Sequence, residues 1–248
     1  MKEKQKTSHV FWTGGQDSTF RLLQLLLTTQ DQVQPHYIVR HEGSTGNEID
    51  TQNKIRRAAI EKHPELRTRF LPTIYTNEDL IPKYKDIDEE VERIRKKVKV
   101  HEQLQILARY CRAFDIEQID LIYERDLVAD EDKRVAHHFG VSSAFRSFTN
   151  PLVNMSKRDC YLVAKDKGWD DLLLLSSFCR RPKKKDKPCG ICGPCSDVLE
   201  NGMGFRLPLI ARMKARIQLP FRQYYRKNYL NQNKGVFKWI KRKFESRL

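Results

Sequence analysis

The chain has 248 residues, a formal net charge of +15 and a mean hydropathy of −0.68. Its longest apolar run, Cys160 to Ala164, is far too short for a membrane span. Residues 1–8 are polar with no apolar core behind them, which argues against a secretory leader, so the expectation is a cytoplasmic protein with reduced cysteines.

The charge is unevenly placed. Residues 180–187 carry six bases and one acid, and residues 206–248 carry thirteen bases and one acid, while residues 1–179 are neutral overall. Basicity therefore belongs to the C-terminal quarter and points to an anionic partner there, not to the rest of the chain.

In chain order, His9-Val10-Phe11-Trp12 reads as a first strand and runs straight into Thr13-Gly14-Gly15-Gln16-Asp17-Ser18-Thr19. A helix is predicted from Thr19 to Thr29, with Ser18 or Thr19 as its cap and a broad leucine face. Two glycines let the backbone turn tightly, and free N–H groups at the helix start suit a phosphate. Asp17 adds a carboxylate where a Mg²⁺ bridging phosphate oxygens could sit. Neither the Gly-Lys-Ser/Thr mononucleotide loop nor the Gly-x-Gly-x-x-Gly dinucleotide fingerprint is present.

A second strand is predicted at Tyr37–Arg40, followed by the polar loop His41 to Gly46 and a helix from about Asp50 to Lys62. Arg69 to Tyr75 is a third strand candidate, weakened by Pro72. Residues 76–87 read as loop, and Asp88 to about Phe114 as a long, interruptible helical stretch. Ile119 to Tyr123 is a clean strand, Asp130 to His138 a charged helical segment, and Thr149 to Leu152 extended. Ser156 then caps a helix to about Lys167, with Asp159 three positions on in a capping-box arrangement. Alternating strands and helices predict an α/β fold with a doubly wound, mostly parallel sheet. In such sheets ligands sit beyond the carboxyl ends of the strands near a topological switch point, which is where the Gly14-Gly15 loop falls.

Cys179, Cys189, Cys192 and Cys195 form Cys-x₉-Cys-x₂-Cys-x₂-Cys. Four thiolates at this spacing suit a closed, tetrahedral Zn²⁺ site of structural role. An iron–sulfur cluster uses the same ligand count, and a disulfide pair is disfavoured by the compartment. Cys111 and Cys160 lie on predicted helices as small core residues. Three segments follow: 1–178 as a nucleotide-binding and catalytic domain, 179–204 as a four-cysteine module, and 205–248 as a basic extension rich in aromatics. The extension's composition leaves open RNA, an anionic membrane surface, a protein partner, or a helix docked on the core or on a second subunit of a homodimer with its charge simply solvated.

Thr13 to Ser18 resembles the Ser-Gly-Gly-x-Asp-Ser loop of the ATP pyrophosphatase (PP-loop) superfamily, with Thr13 keeping the hydroxyl of the first Ser. Further along, Pro151-Leu152, Met155-Ser156-Lys157-Arg158-Asp159 and Cys189-Gly190-Ile191-Cys192-Gly193-Pro194-Cys195 resemble the Thr-Pro-Leu, Leu-Thr-Lys-x-Glu and Cys-Gly-x-Cys-x-x-Cys segments of the 7-cyano-7-deazaguanine synthase family. The resemblance spans residues 9–204. It implies ATP, Mg²⁺ and Zn²⁺, a deazapurine carboxylate and ammonia as substrates, and two successive adenylations. Thr13, Gly14, Gly15, Gln16, Asp17, Ser18 and Thr19 would bind ATP, with Asp17, Ser18 and Lys157 as catalytic residues. The lysine has a plainer reading as a solvated base in a first helical turn. Arg56 and Arg57 read mainly as a solvated helix face, His101 as a helix-surface residue, and His137-His138 lack ligand spacing. The family's acceptor-recognising segments have different residues here, at His41-Glu42-Gly43-Ser44, Lys99 to Gln103 and Tyr123 to Asp126. Activation chemistry common to the superfamily also leaves open a tRNA-modifying enzyme of thiolation or lysidine type, and a non-catalytic scaffold.

Overall fold

The computed structural model describes residues 6–40, 44–98, 100–122, 135–182 and 187–225. It divides into two compact units, one ending at Phe178 and one starting at Cys179.

The first unit is built on five parallel strands: β1 (Thr7–Phe11), β2 (Gln32–Val39), β3 (Ile74–Asn77), β4 (Ile119–Asp120) and β5 (Phe148–Thr149), in the order β3-β2-β1-β4-β5. Every pairing is parallel. Helices α1 (Gln16–Thr28), α2 (Thr45–Lys62), α3 (Lys85–Arg95), α4 (Glu102–Ala113), α5 (Lys157–Asp166) and α6 (Asp170–Leu174) cover both faces.

Strand alternation decides which helix goes where. From β1, Val10 joins Trp12 just beyond it and Val33 of β2, in one fully buried cluster with the apolar faces of α1, α2, α5 and α6. Phe11 and Ile38 point the other way, into a second cluster with α3, α4, Phe145 and Phe148. The α/β sheet is thus doubly wound. Because β1 lies between β2 and β4, the chain leaves the centre of the sheet in opposite directions, and the crevice beyond β1 is the topological switch point.

Several boundaries differ from the sequence reading for local reasons. Helix α1 starts at Gln16, with Gly15 as its N-cap and no side-chain cap. Ser18 and Thr19 lie within the first turn instead, where the Ser18 hydroxyl bonds back to the Gly15 carbonyl and Thr19 accepts from the Trp12 indole. Helix α2 starts at Thr45, five residues before Asp50. Pro72 splits the third strand candidate: Phe70 makes an isolated bridge to Val33, and β3 proper runs only from Ile74. The long helical stretch breaks into α3 and α4, and α3 begins at Lys85. The segment at 149–152 is extended only at Thr149 and then turns. The capping box at Ser156 is present in both directions, with Ser156 accepting from the Asp159 amide and Asp159 from the Ser156 amide. The loop at 41–43, Lys99, the span 123–134 that includes Tyr123 and Asp130, the charged run 183–186, and the tail 226–248 lie outside the described residues.

The second unit contains α7 (Gly193–Glu200), which opens on the last two cysteines, and α8 (Leu209–Tyr225), which packs on it. No helix of the described residues is long and apolar enough to cross a membrane.

Candidate functional site

Beyond β1 the backbone turns at Gly14, whose φ of +76° lies in the left-handed region. A Cβ there would stand 3.2 Å from the Glu48 carbonyl and 3.2 Å from the Thr51 methyl of α2, so both backbone and space call for glycine. Hydroxyls then lace the turn. The Gly15 amide donates to Thr13 Oγ1 at 3.3 Å, and the Thr13 amide donates to Ser18 Oγ at 3.4 Å. On the outer side Ser177 adds a one-residue parallel bridge to Gly15, with its amide donating to the Gly14 carbonyl at 3.0 Å. Below, buried Gln52 donates to the Trp12 carbonyl at 2.9 Å and accepts from Tyr75 at 2.9 Å. The loop is held from three sides and hands the chain to the amino end of α1, the helix-dipole terminus that suits an anion.

Lys157 is not a solvated base. Its side chain is only 14% exposed, and its ammonium sits 3.3 Å from Asp17 Oδ2, itself 24% exposed. The capping box fixes the first turn of α5, and the Gln16 amide group donates to the Lys157 carbonyl at 2.8 Å. Gly14, Gly15, Gln16, Asp17, Ser18 and Lys157 therefore converge on one spot, with a carboxylate and an ammonium at the edge of an N–H-rich turn. Asp17 offers the carboxylate at this spot that could hold a divalent cation.

The sequence reading did not identify the next tier. Asp120, buried at the end of β4, accepts from Arg21 at 2.7 Å and from Thr149 at 2.6 Å. Arg21 lies one helical turn after Asp17, so α1 carries a loop contact and a sheet contact on adjacent turns. A lone acid inside the apolar run Ile119 to Ile122 was the available signal, because a buried carboxylate needs partners.

Other candidates resolve into structural roles. Arg56 donates to the Phe70 and Leu71 carbonyls and lies 3.7 Å over the Phe70 ring, tying down the approach to β3. Arg57 donates to the Asn53 carbonyl of its own helix, and His101 is the exposed N-cap of α4. Under the opposite face of the sheet, His36 bonds His9 at 2.8 Å and Tyr110 at 2.7 Å. Burial, with a smaller contribution from His9, pushes His36 down to about 3. Burial likewise pushes the Cys111 and Cys160 thiols up to about 12, which leaves them as inert core groups.

In the second unit the sulfurs of Cys179, Cys189, Cys192 and Cys195 all lie within 4.8 Å of one another. Individual separations are 3.4 Å (Cys192–Cys195), 3.9 Å (Cys179–Cys192) and 4.0 Å (Cys189–Cys195). The Cys189 amide donates to Cys179 Sγ and the Ile191 amide to Cys189 Sγ, which stabilises negative charge on sulfur. Hydrogen bonding with Cys195 draws Cys192 down to about 4 and raises Cys195, while burial holds Cys179 up at about 11. Four sulfurs this close take up negative charge together only around a cation, so the donor set fits a metal. Gly190, between the first two ligands of the tight run, has φ +75°, and a Cβ there would fall 2.2 Å from the Ala211 carbonyl of α8. The cysteine turn and α8 are in backbone contact.

No family model matches the sequence, and no curated protein matches it. Among solved structures, the chain is similar to the U34-tRNA thiolase NcsA from Methanococcus maripaludis with its 4Fe–4S cluster, over 91% of this chain and 74% of that one, at 14% identity and a TM-score of 0.42.

Proposed function

We propose that the chain is an ATP-dependent enzyme of the PP-loop type, which adenylates an oxygen of its acceptor and releases pyrophosphate. The observation that carries this reading is the meeting of Asp17 and Lys157 at the amino end of α1, across the switch point of a parallel sheet. The Gly14 and Gly15 turn and the first amides of α1 bind the pyrophosphate moiety, and Asp17 takes the Mg²⁺. Lys157 neutralises charge that builds on the departing phosphates, the kind of preorganised electrostatics that lowers such barriers most. Thr13 and Ser18 keep the loop in shape through the hydroxyl contacts described above.

In the step this arrangement serves, a carboxylate oxygen attacks the α-phosphorus, the bond to the bridging oxygen breaks and pyrophosphate leaves. Ammonia then attacks the acyl carbon, and AMP departs to give the amide. The resemblance to 7-cyano-7-deazaguanine synthases makes 7-carboxy-7-deazaguanine the acceptor of first choice, with a second adenylation on the amide oxygen leading to the nitrile. A second reading, a tRNA-modifying enzyme, is favoured by the basic C-terminal quarter. Against its thiolation form, Cys111 and Cys160 are buried and protonated, so neither suits a sulfur carrier in the first unit. A lysidine-type reaction needs no thiol.

For the four cysteines we propose a single Zn²⁺. One tetrahedral ion with Zn–S bonds of about 2.3 Å sets its sulfurs about 3.8 Å apart, near the separations found. A cubane cluster places each thiolate on a different iron and needs them farther apart. Metal analysis giving one zinc per chain and no visible iron–sulfur absorbance is the expected outcome.

The deciding experiment incubates the protein with ATP, Mg²⁺, ammonium and 7-carboxy-7-deazaguanine. Formation of AMP and nitrile, abolished in Asp17→Ala, is expected. ATP cleavage that requires RNA would shift the assignment to the second reading, and no AMP with either acceptor would leave a nucleotide-fold scaffold.

A further inference from the structure

We propose that the outer face of α8 is a docking surface for an anionic lipid bilayer, a property independent of the ATP reading. The helix has two unlike sides. Ala211 and Ala215 are buried and seat it on its own unit, against the Gly190 turn in the case of Ala211. Arg222 donates to the Ile191 carbonyl at 3.0 Å and Arg212 to the Leu207 carbonyl at 3.1 Å, fastening the same side. Leu209, Ile210, Met213, Ile217, Phe221 and Tyr224 are instead 56 to 74% exposed. At about 100° per residue these six fall in one sector about 120° wide. Single exposed apolar residues are ordinary, but a continuous stripe along a whole helix marks an interaction site.

Charge selects the occupant. Helix α8 contains four bases and no acid. Lys214 and Arg216 flank the stripe, one on each side, by the same angular count. A second copy docking by this face would set those bases against their equivalents with no carboxylate on the helix to answer them. RNA offers phosphates to the bases but nothing apolar to Leu209, Ile210, Met213 and Ile217. The interface of an anionic bilayer offers both, a headgroup layer for the cations and an acyl boundary for the stripe. The sequence that follows, residues 226–248, adds eight bases and one acid, each base near such a surface adding to the attraction. At 17 residues α8 is about 25 Å long, and its four bases suit it to lie along the interface and not across it.

The test is sedimentation of the full chain with phosphatidylcholine vesicles, with and without phosphatidylserine. Binding at least tenfold stronger with phosphatidylserine, weakening as salt rises, is expected. Ile217→Asp and Phe221→Asp should each lower it at least tenfold, and Ile217→Leu should keep it, with circular dichroism and metal content unchanged in all three. The proposal is overturned by no preference for phosphatidylserine, by Ile217→Asp binding like the parent, or by binding of an RNA oligonucleotide with none to vesicles. Concentration-dependent dimerisation lost in Ile217→Asp, without vesicle binding, would equally assign the face to a second copy.

Discussion

Replacing Gly14 by alanine tests whether the loop geometry is what makes the candidate site. An L-residue held near φ +76° costs about 1–2 kcal/mol. The new methyl also meets the Glu48 carbonyl and the Thr51 methyl at 3.2 Å, closer than ordinary contact, and both belong to α2, which cannot swing aside freely. Crowding of this kind adds about 1 kcal/mol, the low end for overpacking. The total is about 2–3 kcal/mol, or roughly 4–12 °C in the melting temperature of a chain this size. Gly46→Ala is the matched control. It lies in the first turn of α2 with nothing within 4 Å of the added carbon, so it should be neutral or stabilising by up to about 1 kcal/mol. Thermal unfolding of both variants, with ATP titration by calorimetry, measures the contrast. Gly14→Ala should also weaken ATP binding at least tenfold, because the proposed function has the displaced amides bind the phosphates. Equal melting temperatures for the two variants, or unchanged ATP affinity in Gly14→Ala, would refute the reasoning.

Lys157→Met keeps the aliphatic stem and removes the charge; AMP release in a radiolabelled ATP assay should fall by about 10²–10³ with little change in folding. Gly190→Ala forces a methyl to within 2.2 Å of backbone that cannot yield, so metal content should drop and the Cys179–Tyr225 region should become readily cleaved in limited proteolysis. Cys192→Ser should do the same by removing a ligand. The His36 pKa is depressed from 6.5 to about 3 by burial, so the unfolded chain takes up a proton that the folded chain refuses. Stability from this group is full above pH 6.5 and declines as pH falls towards 3, by a few kcal/mol at the acid end. Urea midpoints across that range should fall less steeply for His36→Gln than for the parent, and identical slopes would remove His36 from the account.

The loop of the first unit and the cysteine cluster of the second each left a mark in the sequence. The Gly-Gly turn was legible because its backbone demand admits few residues, and the cysteines because their spacing does. Lys157 was ambiguous: a base in a first helical turn has the same local appearance whether it meets water or a carboxylate 140 residues away. Only the fold, by packing α5 against α1, decides. Arg21 and Thr149 are unremarkable among their sequence neighbours and become informative only across three elements, whereas Asp120 stands out as an acid in an apolar run but does not name its partners. Pro72 was correctly a warning, yet propensity could not say which side of it the strand would occupy; pairing with β2 settled that at Ile74. The start of α1 was misplaced because hydroxyl residues after a glycine pair look like caps. Gly15, with no side chain at all, fills that role and frees the hydroxyls to brace the turn.

The bond from the Gln16 side chain to the Lys157 carbonyl has a practical corollary. It acts through the peptide group, so no substitution at position 157 short of a backbone change removes it. Mutagenesis there reports the side chain and leaves this backbone contact in place. The side-chain link between the two helix starts is written at position 16, and a Gln16→Leu chain would retain every charge of the site while losing this bond to the Lys157 carbonyl.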